Sequence, residues 1–233
     1  MKIGIIGTGN MGRSLGLVWA ELGHSVFFGA QEIANAQQAV DLARKNNAKG
    51  EVFAGSNDEA AQFGEVLFYT ARGVAPNVVL EDASLLDGKI IIDPNNSDIP
   101  DGFVYEPITF SLAEKLQAQV PKARVVKAFN TLSQETYELS PEPLREQKVS
   151  VFVAADDAIA RSVVMQLARE MGFVPLDCGP LRTARLIEGL SDFIRFVMIG
   201  QGQGAYTAIS VHALPEPTCP LRLGGRQASR LDS

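Results

Sequence analysis

The chain is predicted to be an α/β protein, doubly wound, with a mostly parallel sheet and a helical segment at its C-terminal end. Three observations carry this reading. Short, β-branched apolar runs alternate with helix-length segments along the chain. Those runs are nearly continuous in apolar residues, the pattern of strands covered on both faces. A glycine-rich turn, Gly7-Thr8-Gly9-Asn10-Met11-Gly12, joins the first run to the first helix. A length of 233 residues suits one main domain with an appendage, divided here as 1–178 and 179–233.

The expected strands are Ile3–Gly7, Ser25–Gly29, Val66–Thr70, Ile90–Asp93, Val125–Phe129, Val149–Ala154 and Val174–Asp177. The first helix runs Met11–Leu22. Ser56-Asn57-Asp58-Glu59 and Ser111-Leu112-Ala113-Glu114 have capping-box spacing, in which serine and glutamate each satisfy an orphan amide. Asp87-Gly88 makes a turn, and Pro94 ends the strand before it. Asp156 or Asp157 caps a helix whose stripe is Ile159, Val163, Leu167 and Met171. After Gly179-Pro180 a single helix, Arg182–Ile199, carries a broad apolar stripe including Leu186, Leu190, Phe193 and Val197. That breadth fits core packing or a partner subunit. Gly200–Gly204 ends the helix, and the tail from Pro215 reads as loosely ordered.

Composition narrows the function. A net charge of −6 argues against a nucleic-acid partner. No apolar run approaches the ~20 residues of a membrane span. The start, Met1-Lys2-Ile3-Gly4, enters a strand directly and reads as lacking a signal peptide. Cys178 and Cys219 are too few for a disulfide framework, so the expected location is the cytoplasm and both thiols read as incidental. With only His24 and His212, a histidine zinc site and a Ser-His-Asp triad are poor fits.

The glycine turn is where chemistry concentrates. In a strand–turn–helix context, Gly7 permits the tight turn, Gly9 lets a pyrophosphate approach the backbone, and Gly12 lets helix pack on strand. The helix N-terminus adds free amides and a partial positive charge. The next cue is the end of the second strand, Phe28-Gly29-Ala30-Gln31-Glu32. An acid there bonds a ribose 2′-hydroxyl and a base accepts a 2′-phosphate. Gln31 is uncharged, and Glu32 either faces the ribose or opens the next helix, which leaves NADP and NAD both open.

Four blocks then resemble a known family. They are Gly7–Gly12 with Leu22-Gly23-His24, the Gly29 turn, Lys127-Ala128-Phe129-Asn130-Thr131, and Pro175–Leu181 with Arg185-Leu186-Ile187-Glu188. Together they resemble the F420-dependent NADP reductases, a Rossmann-type group related to the cytoplasmic domain of the STEAP metalloreductases. The resemblance implies hydride transfer between NADP (or NAD) and coenzyme F420 or a flavin as second substrate. Flavin-mediated reduction of a metal chelate is the alternative enzyme reading, and a dinucleotide-sensing protein without turnover is a third.

The resemblance further implies a cofactor site of Gly7, Thr8, Gly9, Asn10, Met11 and Gly12, then Ala30, Gln31 and Glu32. Thr70, Ala71, Arg72, Ala128, Asn130 and Leu132 complete it around the nicotinamide. Asn130 hydrogen-bonds the carboxamide or second ring, or simply forms a turn; Leu132 is an apolar wall; Asn95-Asn96-Ser97 line the same crevice. No acid or base is expected, since two bound cofactors need proximity above all. The chain departs from the family pattern at Ala30-Gln31-Glu32, where NADP-preferring members carry Ser or Thr followed by Arg. It departs again at Arg72-Gly73, where the deazaflavin enzymes carry proline and an aromatic. Asn130 stands where archaeal enzymes have histidine. Homodimerisation is expected through Arg182–Ile199.

Overall fold

The computed structural model describes residues 1–215. Strands and helices alternate through its first half: β1 (Lys2–Ile6), α1 (Asn10–Glu21), β2 (Ser25–Gly29), α2 (Ile33–Lys45), β3 (Val52–Gly55), α3 (Asn57–Phe63), β4 (Val66–Tyr69), α4 (Pro76–Val79) and β5 (Ile90–Asp93). The second half adds α5 (Leu112–Gln119), β6 (Arg124–Lys127), α6 (Pro141–Glu146), β7 (Ser150–Val153), α7 (Ala158–Glu170), β8 (Val174–Asp177) and α8 (Ala184–Arg195).

Six strands form one parallel sheet in the order β3-β2-β1-β4-β5-β6. The order reverses between β1 and β4, which opens a crevice at the carboxyl ends of those strands. Alternate residues of each strand feed opposite faces. Ile3, Ile5, Val26 and Phe28 join Leu15 and Trp19 in one core. Ile6, Leu67, Tyr69 and Ile91 join Leu116 and Val125 in the other. Each such aliphatic side chain contributes about 1.5–3 kcal/mol on full burial.

The structure corrects the expected sheet in two places. Val52–Gly55 is an additional strand, at the sheet edge beside β2. Only four residues long and with Phe53 exposed, it lacks the continuous apolar run that marks the central strands. Val149–Ala154 and Val174–Asp177 do not extend the main sheet. They supply β7 and β8, a separate parallel pair joined to β6 through an antiparallel bridge between Lys127 and Ala154.

Helix starts match their sequence signals. Ser56 and Ser111 both form complete capping boxes, with Glu59 and Glu114. Asp157, rather than Asp156, caps α7 by accepting from the Ala160 amide at 2.7 Å. The buried face of α7 is Ala160, Val164, Leu167 and Ala168, with Met171 buried just beyond and Val163 packed against the core, while Ile159 faces solvent.

The expected single helix Arg182–Ile199 is three pieces: a 3-10 turn at Leu181–Thr183, α8, and a π turn at Phe196–Gly200. At the last break Phe196 sits edge-on to Phe103, their ring centres 5.5 Å apart. Beyond it the chain returns along β7, where the Ser150 amide donates to Ile209 O at 2.9 Å and the Val211 amide to Ser150 Oγ at 3.0 Å. The expectation of a loose tail, apart from the exposed Pro215, and Cys219 lie outside the described residues.

Candidate dinucleotide and hydride-transfer site

The β1–α1 turn is held by backbone and short side chains. Gly7 adopts φ +94°, a conformation that disfavours any side chain. Its amide donates to Gly29 O at 3.2 Å and to Asn57 Oδ1 at 3.1 Å. Thr8 Oγ1 donates to the same Gly29 carbonyl at 2.8 Å, and Thr70 Oγ1 donates to Gly7 O at 2.6 Å. A Cβ on Gly12 would stand 2.2 Å from Gly7 O, so helix and turn touch only because it is absent.

Gly9 is different. Its φ of −78° suits any residue, and a Cβ there would meet no protein atom within 4 Å. Neither backbone nor packing requires glycine at this position. It stands at the N-cap of α1 without a side-chain capping bond, beside the free amides of the first turn. Open space against an uncapped helix N-terminus fits a pyrophosphate lying on the backbone.

At the carboxyl end of β2, Ala30 is buried, and its amide donates to Gly55 O at 3.1 Å. Gln31 and Glu32 are exposed. Glu32 occupies the N-cap of α2 without capping it, so its carboxylate is solvated.

On the other side of the turn lies a cleft of about 540 Å³. It is floored by Gly9, Asn10 and Met11, and walled by Thr70, Arg72, Phe129, Asn130 and Leu132. Pro94, Asn95, Asn96 and Arg195 close it. Seven of the residues expected at the cofactor therefore meet in one cavity: Gly9, Asn10, Met11, Thr70, Arg72, Asn130 and Leu132. Ala71 faces a smaller hollow of about 280 Å³ behind it, and Ala128 is fully buried. A larger groove, about 700 Å³, lies along Phe110, Gln117, Asp157 and Arg182 and contains none of the residues expected at the cofactor.

Asn130 is held by contacts from two elements, the loop after β5 and α8. Its Nδ2 donates to Asn96 Oδ1 at 2.9 Å and to Ile187 O at 3.3 Å. Its carbonyl accepts from Asn96 Nδ2 at 2.7 Å and from Ser191 Oγ at 2.8 Å. Its Oδ1 is buried and has no protein partner. The left-handed residue of this segment is the neighbour of Asn130, Phe129, at φ +63°. A non-glycine residue held there costs on the order of 1–3 kcal/mol. Phe129 is locked by edge-on contacts with Trp19 and Tyr137 and by the Tyr137 hydroxyl, which donates to its carbonyl at 2.6 Å.

Beneath Asn130 lies a buried ionic cluster. Lys127 has no exposed surface, and its Nζ pairs with Asp93 at 3.1 Å and Glu188 at 2.8 Å while donating to Asn95 O. Glu188 also accepts the Leu112 amide at 3.0 Å, at the N-terminus of α5, where helix dipoles favour an anion. Arg185 binds Glu114 through two bonds of 2.7 Å, which holds the Glu114 carboxyl down at about 2. The stretch Arg185–Glu188 thus meets α5 through Arg185, the Asn130 side chain through the Ile187 carbonyl, and β6 through Glu188.

His24, at the opposite end of β2, bonds Glu170 at 2.8 Å and lies outside the cleft. Cys178 is half-buried, and burial pushes its thiol up. Among the described residues no group of three His, Cys, Asp or Glu is placed to hold a metal, and no helix is long and apolar enough to cross a membrane. Sequence reasoning missed Phe129 and Arg195 as cleft residues. Arg195 carries no local motif, since only the packing of α8 brings it there.

A Rossmann-type sheet with an open glycine turn and an adjoining cleft defines the class: a dinucleotide-binding domain of the kind found in NADP-dependent oxidoreductases. Residues 2–97 match the family described as NADP oxidoreductase coenzyme F420-dependent. The chain is similar to the F420-dependent NADP reductase of Methanothermobacter thermautotrophicus, 28% identical over 83% of this chain and 88% of that one. It is also similar to rat metalloreductase STEAP3, 31% identical over 81% of this chain but 36% of the relative. The chain therefore spans about a third of the length of the metalloreductases it matches. Among solved structures, a proposed F420-dependent NADP reductase from Arthrobacter sp. FB24 aligns with a TM-score of 0.74 and 28% identity, covering 91% of this chain and all of that one. The family resemblance read from the four motif blocks is borne out.

Proposed function

We propose that the protein is an NAD(P)H-dependent oxidoreductase that passes a hydride between nicotinamide and the ring of coenzyme F420 or a flavin. The observation that carries this reading is the continuity of the cleft, from the open space at Gly9 to the unpartnered Oδ1 of Asn130. When bound, the nicotinamide supplies the hydride chemistry. The chain's own part is to bind and orient. The α1 amides take the pyrophosphate, and Asn130 Oδ1, fixed in direction by Asn96 and Ile187, accepts from the carboxamide. Met11 and Leu132 give the ring an apolar bed. No acid or base is required, because hydride transfer between two stacked rings depends on distance and alignment.

Flavin-mediated reduction of a metal chelate is a second reading, favoured by the similarity to STEAP3. Following nicotinamide absorbance with coenzyme F420, FMN or a ferric chelate separates the two. Oxidation by F420 or FMN alone supports the first, and oxidation by chelate only in the presence of flavin supports the second. Tight dinucleotide binding with no oxidation by any acceptor would leave a sensing protein. The reading includes a homodimer joined through α8, whose Leu186, Phe193 and the following Ile199 are exposed. It also includes a cytoplasmic location, supported by the two sparse cysteines.

A further inference from the structure

We infer that the cleft selects hydride acceptors carrying an anionic group, phosphate or carboxylate, and that Arg72 and Arg195 hold it. The inference rests on the cleft being a hydride-transfer site and names the class of its second substrate. The chain as a whole is acidic, at −6, yet the cleft is lined by two arginines and no aspartate or glutamate. Each guanidinium has an aspartate neighbour, Asp98 or Asp192, outside the cleft lining, and what it presents to the cleft is positive charge and N–H donors, which attract an anion.

Position separates these cations from the dinucleotide's own phosphates. The pyrophosphate belongs at the α1 N-terminus, and the adenosine half belongs at the ends of β2 and β3. Arg72 follows β4, and Arg195 reaches the cleft from α8, so both stand on the nicotinamide side of the β1 turn. They are also held by consecutive residues of the loop after β5. Arg72 pairs with Asp98 at 2.8 Å, and Arg195 donates to Ser97 O at 2.7 Å.

Both have donors to spare. The Arg72–Asp98 pair is a surface contact, with the carboxylate side chain 85% exposed, and such pairs contribute little and exchange readily for a ligand anion. Arg195 pairs with Asp192 and lies over the Tyr105 ring, yet its buried Nε has no hydrogen-bond partner. Planar guanidinium groups take phosphate or carboxylate through paired N–H bonds, which neutral acceptors do not offer.

Riboflavin and FMN test this directly, because they share one ring and differ in a phosphate. With NADPH as donor, the KM for FMN should lie about tenfold below that for riboflavin. Arg72→Ala should collapse that ratio towards one, and Arg72→Lys should restore part of it. Fluorescence titration of both flavins onto protein saturated with NADP+ should show the same preference without turnover. Equal binding of the two flavins, or a ratio untouched by Arg72→Ala, would overturn the inference. A phosphate-dependent preference in binding without oxidation of NADPH would uphold the anion site while the oxidoreductase reading fails.

Discussion

The two walls of the cleft are built by different physics. The β1–α1 turn is local: Gly7, Gly9 and Gly12 lie within six residues, and a positive φ explains the first, close packing explains the last, and open space surrounds the middle one. The Asn130 wall is assembled from a distance. Its side chain meets Ile187 across a separation of 57 residues, and Ser191 meets its carbonyl across 61. On the proposed reading the turn would accept any dinucleotide pyrophosphate, because backbone amides read only charge and shape. The far wall, on the same reading, would set how the nicotinamide is aimed and what lies against it. Binding and selectivity are therefore separable, and four substitutions should separate them.

The largest effect is expected at the turn. Gly9→Val should abolish dinucleotide binding by calorimetry while leaving the melting temperature near wild type, since a side chain there meets no protein atom within 4 Å. A large loss of stability would show that Gly9 is structural. At the far wall the order reverses. Lys127→Ala leaves Asp93 and Glu188 buried without their counter-ion, and loss of one partner from a buried pair costs about 3–5 kcal/mol. Urea unfolding should read that loss, and a change under 1 kcal/mol (roughly the ceiling for an exposed pair) would show that the cluster does not hold α8 to the sheet.

A smaller effect belongs to the β2 end, where Gln31 is exposed beside the solvated Glu32. Gln31→Arg adds a charged donor for a 2′-phosphate, worth about 1.5–3 kcal/mol, so the NADPH-to-NADH affinity ratio should rise about tenfold or more. An unchanged ratio would place the adenosine ribose elsewhere. The smallest effect is a pH dependence. Arg185 holds the Glu114 carboxyl at about 2, below its ordinary value. Its contribution to stability is present in full above the ordinary carboxylate range and is lost as pH falls towards 2. Glu114→Gln should flatten that part of the acid-unfolding curve, and an identical slope in the variant would show that this pair does not tie α5 to α8.

Much of the fold was legible because it rests on short-range signals. The central strands declared themselves by continuous apolar runs, and Ser56, Ser111 and Asp157 by capping spacing. Where signals were weak the reading slipped. Val52–Gly55 is too short and too exposed at the edge to announce a strand. The apolar stripe from Ile159 held at Leu167 and Met171, with Val163 packed against the core, and failed only at Ile159, which lies exposed in the first turn of α7.

The sequence by itself determined the glycine turn and the parallel sheet behind it, since glycine's backbone freedom, helix caps and strand hydrophobicity act over a few residues. The tertiary structure alone decided that Lys127 and Glu188 are two halves of one buried pair. It also decided that Phe129 rather than Asn130 takes the left-handed turn, and that Arg195 reaches the cleft beside Arg72. Those outcomes depend on charges and rings that meet only after α8 has packed against β6 and α5, and no local pattern encodes a contact that the closed chain creates.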